Sequence, residues 1–178
     1  YVTAGTVTIS RNGDLLSQIY VKTDQETTSG INGDYLIQDV EIEIGGQRMD
    51  KHYREWHQVW TELTTPSSKA EGFKYLTGGF KNPLVTGGLA SVGGTSQQSV
   101  MYPLQFWFCR NIGLALPLIA LQYHDVKLKF NWNSGAAGDG MSRSGAAAVT
   151  PAVQVWCDYI YLDTDERRRF AQVSHEYL

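Results

Sequence analysis

The sequence predicts an all-β chain, an antiparallel β-sandwich with short helices inserted in its loops. Three observations carry this. Runs of strictly alternating apolar and polar residues recur along the chain, as half-buried strands require. Stretches rich in Gly, Ser and Thr separate them, and the helical period appears only in brief interruptions. Strands at intervals with few helices suit a sandwich rather than the βα alternation of a parallel sheet. The 178 residues suit one domain, and a chain of that length can bury a sizeable core without metals or disulfides.

The first strand signal is Val7 and Ile9 alternating with Thr6 and Thr8. Arg11-Asn12-Gly13-Asp14 then reads as a hairpin turn, since Asn-Gly supplies the positive φ angles such turns need. Leu15 to Lys22 is the expected partner, with Leu15, Ile19 and Val21 on one face and Gln18, Tyr20 and Lys22 on the other. Polar Thr23 to Gly33 reads as a loop. Val40 to Ile44 alternates apolar with Glu41 and Glu43, and Gly45-Gly46 turns the chain into Gln47 to Asp50. Tyr53, Trp56, Trp60 and Leu63 then recur at helical spacing, so they are expected to pack on the sandwich or a neighbour. Asp50 is the expected N-cap, and Thr64-Thr65-Pro66 ends the helix.

Residues Thr77 to Ser99 read as a long surface loop. Met101 to Arg110 is ordered and buried on both faces, through Tyr102, Leu104, Phe106 and Phe108 on one and Trp107 and Cys109 on the other. Asn111-Ile112-Gly113 turns, and Leu114 to Gln122 is helical or irregular around Pro117. Val126, Leu128, Phe130 and Trp132 alternate with Lys127, Lys129 and Asn131 as a strand. A second Gly/Ala/Ser loop runs from Ser134 to Thr150. Val153 to Leu162 reads as a central strand, and Asp163 with Glu166 as the capping box of a short helix.

The composition excludes several classes. The formal net charge is −3 and charged residues are 19%, whereas a nucleic-acid binder shows a basic patch or stripe. The dense basic run, Arg167 to Arg169, follows directly on Asp163, Asp165 and Glu166, so no direct nucleic-acid binding is expected. Those acids and bases suit the helix dipole, and the arginines equally suit a partner's carboxylates. No apolar run reaches the ~18 residues of a membrane span, and no secretory signal opens the chain. The two cysteines, Cys109 and Cys157, lie in apolar strand-like runs and read as buried, reduced thiols. No Asn-x-Ser/Thr sequon occurs.

No residue set reads as catalytic, cofactor-binding or metal-binding, and no enzyme activity is expected. His52 and His57 are five apart, not at the i, i+4 spacing of a zinc helix, while His124 and His175 stand alone; all four read as surface or partly buried. Glu41 and Glu43 read as a solvated strand face. There is no Gly-x-Ser-x-Gly elbow for a serine hydrolase, and the Gly-Gly pairs lack the Lys-Ser/Thr of a phosphate cradle. Trp56, Trp60 and Trp132 could stack on sugars, but they fall on apolar faces and read as core.

Three stretches are more specific than any of this. They are Thr8-Ile-Ser-Arg-Asn-Gly-Asp-Leu15, then Val40-Glu-Ile-Glu-Ile-Gly-Gly-Gln-Arg-Met-Asp-Lys-His-Tyr53, and Pro103-Leu-Gln-Phe-Trp-Phe-Cys-Arg-Asn111 continuing to Leu-Ile-Ala-Leu-Gln-Tyr-His124. With residues 126–130 and 158–162 they make the chain resemble the major capsid proteins of nucleocytoplasmic large DNA viruses, such as iridoviruses and phycodnaviruses. The resemblance implies a jelly roll, the first of two in the subunit, spanning residues 1–172, with 173–178 opening the linker to the second. It implies homotrimeric, pseudo-hexagonal capsomers in an icosahedral shell around an internal membrane. It further implies contacts with neighbouring capsomers and minor capsid proteins, assembly in host cytoplasm, residence in the virion, and no cofactor.

The family's N-terminal arm and first strand have no counterpart here, and the 23–33 connection is short. A partner strand for Val7 and Ile9 is therefore expected from residues before Tyr1. The other reading is a carbohydrate-binding sandwich for host attachment, with loops 77–99 and 134–150 making the contacts. A sandwich hydrolase would need acids converging in a cleft, and no pattern supports one.

Overall fold

The computed structural model of the protein describes residues 4–27, 36–77, 96–121, 123–132 and 152–172. Among these residues eight strands form two antiparallel sheets. The first sheet contains β1 (Ala4–Thr8), β7 (Val126–Trp132), β3 (Ile37–Ile44) and β4 (Gln47–Tyr53), in that spatial order. The second is built around β2 (Leu15–Thr27). Residues Leu15 and Leu16 pair with both β6 (Leu116–Pro117) and β8 (Ala152–Ile160). Tyr20 to Asp24 pair with both β5 (Ser96–Pro103) and β8. A strand has two edges, so β8 runs along one edge of β2 while β6 and β5 follow each other along the opposite edge.

The core lies between the sheets. From the first sheet come Val40, Ile42, Leu128 and Phe130, and from the second Leu16, Ile19 and Val21, all buried. Phe106 and Phe108 join this core with stacked rings 5.9 Å apart. The alternation in β3 and β7 places apolar residues inward as their sequence requires, with Val126, Leu128 and Phe130 buried and Lys129 exposed. In β2, Leu16 and Ile19 are both buried although an odd step separates them. A register shift between Leu16 and Gln18 reconciles the two, since a bulge inserts one residue and resets the inward face.

Several sequence expectations change. Asn12-Gly13 makes no hairpin, because β1 pairs with β7 and β2 lies in the other sheet. The turn with two positive φ angles is Gly45-Gly46, at +59° and +87°, which joins β3 to β4. Ala4 to Thr8 of β1 are all in register with β7, and among the described residues β1 lies at the edge of its sheet. Residues Thr23 to Thr27, read as loop, extend β2 because β5 and β8 offer partners, and the rest of that loop lies outside the described residues. Ser96 to Ser99 belong to β5 in the same way, while 78–95 lie outside. The 134–150 loop and residues 173–178 are also outside.

Asp50 is no N-cap. Gln47 to Tyr53 pair with β3, and the ladder postpones helix α1 to Arg54–Thr64, with Tyr53 at the N-cap position. A second helix, α2 (Ser67–Thr77), follows Pro66, whose carbonyl accepts from Lys69 and Ala70. Its apolar residues spread around the axis, with Tyr75 and Leu76 exposed, which hid it from a search for stripes. After β5 the chain makes one helical turn, α3 (Trp107–Arg110), so Cys109 is buried in a helix and not a strand. Among the described residues β8 pairs only with β2. Within these it is an edge strand and not the expected central one, and Trp156 is exposed. The final helix α4 (Thr164–Gln172) begins directly after Asp163, whose carbonyl accepts from Arg167 N.

Gly45 has a further constraint, because a Cβ there would lie 2.6 Å from His124 Nδ1. At Gly46 a Cβ would meet nothing within 4 Å. Gly46→Ala should therefore cost only the left-handed strain, about 1–2 kcal/mol, and Gly45→Ala clearly more. Urea titration of the two variants checks the order, and equal midpoints would refute it.

Candidate functional site

Two surfaces stand out among the described residues. The first is the junction between the sheets at residues 9–14. Asp14 Oδ2 accepts from Leu162 N at 2.8 Å and from Arg167 Nη2 at 2.9 Å. The bond from Leu162 N, followed by that from Arg167, holds the Asp14 carboxyl below its ordinary range against the effect of burial. Tyr159 and Tyr161 donate their hydroxyls to the carbonyls of Ser10 and Asn12. Arg11 Nη2 donates to the carbonyls of Leu121 and His124 at 2.8 and 2.7 Å. A Cβ on Gly13 would approach Tyr159 Cβ to 2.5 Å. Gly13 thus serves close packing rather than a reversed turn.

One member of the basic run thereby acquires an internal role, since Arg167 is paired with Asp14. The acids of β3 are also paired. Glu41 binds Lys51 at 2.8 Å, Asp39 binds Lys51 at 3.2 Å, and Glu43 binds Lys129. The hydrogen bond from Lys51 lowers the Glu41 pKa. Cross-strand pairs of this kind stabilise a sheet face.

The second surface is α1 with its neighbour α3. The aromatic stripe has the expected period but a different phase. Its inward row is Arg54, His57, Trp60 and Thr61, and His57 is the buried residue, 1% exposed. Tyr53, Trp56, Val59 and Leu63 face outward, Leu63 being 78% exposed. Trp56 and Trp60 are therefore not core, although Trp60 is half-buried with the Arg110 guanidinium 4.1 Å above its ring. Trp132 stacks on Phe130 at 4.7 Å, against the core.

The histidines divide. His124 is exposed, and His175 lies outside the described residues. His52 and His57 are both buried, not superficial, with ring centroids 5.6 Å apart. Their pairing was invisible in the sequence because His52 sits on β4 and His57 on α1. Among the described residues no group of three or more His, Cys, Asp and Glu converges as a metal site. No helix there is long and apolar enough to cross a membrane.

A sandwich with this junction and an aromatic outer helix defines a packing module, and comparison places it. Residues 2–163 match the family described as major capsid protein N-terminus. The major capsid protein of Pyramimonas orientalis virus is 51% identical over 97% of this chain and 43% of its own length. That of Paramecium bursaria Chlorella virus 1 is 44% identical over 96% of this chain and 38% of its own. A quasi-atomic model of the PBCV-1 virus capsid superposes with a TM-score of 0.79 and 38% identity, over 98% of this chain and 42% of that one. The chain belongs to the major capsid protein N-terminus family of large DNA viruses, and its fold is the jelly roll of that family. It spans about two fifths of the length of these relatives.

Both cysteines are free, Cys109 buried and Cys157 half-buried. Burial pushes the Cys109 thiol up to about 12 and raises Cys157 as well, so little thiolate is present to oxidise. Alkylation under denaturing conditions without reductant should label both thiols by intact mass, and a missing label would contradict this.

The helix assignment also makes a contrast. His57→Ala opens a cavity in packed surroundings and should cost about 2–4 kcal/mol, in the range of large core truncations. Trp56→Ala should cost about 1 kcal/mol or less, as partly exposed positions do. Denaturant midpoints that put Trp56 above His57 would show that the outer stripe is the buried one.

Proposed function

We propose that this chain is the first of two jelly rolls in a capsid subunit that assembles as a homotrimer with a pseudo-hexagonal outline. The observation that carries it is the match to capsid proteins along almost the whole chain, in sequence and in fold, over only two fifths of their length. A three-fold assembly acquires six corners when each subunit contributes two similar domains, which the remaining length of the relatives could hold. In this reading residues 1–172 form the domain and 173–178 lead toward the second. The capsomers pack against one another and against minor capsid proteins in an icosahedral shell assembled in host cytoplasm, around an internal membrane. The subunit has no enzymatic task, and its affinity comes from shape and burial. Outward-facing Trp56, Val59 and Leu63 suit contact with a neighbour, since apolar surface of this kind marks interfaces.

Light scattering coupled to size exclusion tests the proposal. The longer polypeptide should elute as a trimer, while residues 1–178 alone should aggregate or remain monomeric. A well-dispersed trimer of the segment by itself would overturn the two-domain reading.

A further inference from the structure

The contact between α1 and the sandwich is unusual in what it buries. His57 is the buried residue of α1. Its ring meets Tyr102 of β5 edge-on at 5.5 Å and His52 of β4 edge-on at 5.6 Å. His52 in turn stacks on Phe106 at 4.7 Å. Among the described residues, both ring nitrogens of His57 and Nδ1 of His52 are buried without a hydrogen-bond partner. A neutral imidazole tolerates such a site at a cost, but an imidazolium there would carry an unsolvated charge beside a second titratable ring.

We propose that His57, with His52 against it, is an acid-released latch that holds helix α1 on the sandwich while neutral and frees it when protonated. The surrounding charges agree. From β4, Asp50 Oδ2 contacts His52 Nε2 at 3.0 Å, so a proton on His52 has an acceptor. From α3, Arg110 opposes charge on His52. Tyr102 of β5 presents a ring edge. Lys51 of β4 is engaged with Asp39 and Glu41 of β3, and strand alternation puts those residues on the face opposite His52 and Val40. On α1 itself Arg54 lies 3.7 Å from Glu55. Among the described residues His52 is the charge-bearing group acting on His57, and burial followed by that neighbour lowers its pKa to about 4. Burial also lowers His52 and outweighs its Asp50 partner.

The sign follows from linkage. The folded pKa lies below the ordinary 6.5, so the unfolded or released helix binds more protons and attachment weakens as pH falls from about 6.5 toward about 4. The outward side of α1 carries Trp56 and Leu63, so release would also rearrange that apolar surface.

Amide hydrogen exchange of the full-length polypeptide, corrected for intrinsic rates, tests the latch. Between pH 7 and pH 5 opening of the 54–64 segment should rise on the order of tenfold, with 126–132 unchanged. His57→Leu should abolish the rise. Constant protection of 54–64, joint loss in both segments, or an undiminished response in His57→Leu overturns the proposal. Should His57→Leu fail to fold, histidine C2–H exchange on the parent protein decides. A His57 midpoint below that of the unfolded chain supports the latch, and one at or above it overturns it.

Discussion

The architecture depends on one strand serving three partners. β2 pairs with β8 along most of its length, with β6 at its start and with β5 at its end. Each of those elements comes from a distant part of the chain, so the second sheet cannot form until all have been gathered. Non-local pairing of this kind orders long loops before the ladder returns any stabilisation. The register shift after Leu16 is part of the same constraint. It lets one strand place Leu16 opposite β6 and still turn Ile19 and Val21 into the core.

The crossing from β1 to β2 then decides how the sheets face each other. The segment from Ile9 to Asp14 has no hairpin bonds to hold it, and its polar groups are satisfied from outside. Tyr159, Tyr161, Leu162 and Arg167 supply donors to it, and Arg11 reaches two carbonyls before β7. The half-buried Gly13–Asp14 end of the segment depends most on such partners, since sheltered loop backbone needs them. The helix α4 thereby becomes part of the sandwich's closure, through Arg167 and Asp14.

Polarity is handled in opposite ways on the two sides of the first sheet. On the face opposite the core, Asp39, Glu41, Glu43, Lys51 and Lys129 neutralise one another across strands, Asp39 buried and the others half-buried or exposed. Inside, His52 and His57 are sheltered with several ring nitrogens unmatched. The exposed apolar side of α1 and the paired outer strand face thus lie on different elements.

The amino-acid pattern alone determined the all-β class, the inward faces of β3 and β7, the Gly45-Gly46 turn and the capsid family. These rest on local rules, period-two alternation and positive-φ glycine, or on long specific strings such as Gly-Gly-Gln-Arg-x-Asp-Lys-His, that need no knowledge of distant residues. What required the tertiary structure was every choice among competing partners. Asn12-Gly13 has hairpin chemistry, yet Tyr159 packs against it and the sheets separate there. Asp50 has N-cap chemistry, yet β3 claims it for a ladder. The stripe of Trp56, Trp60 and Leu63 has the period of a buried face, yet period fixes no phase, and contact with Tyr102 and His52 turns His57 inward instead. The histidine pair belongs wholly to this second group, because its members lie on a strand and a helix and only the packing of α1 on the sandwich brings them within reach.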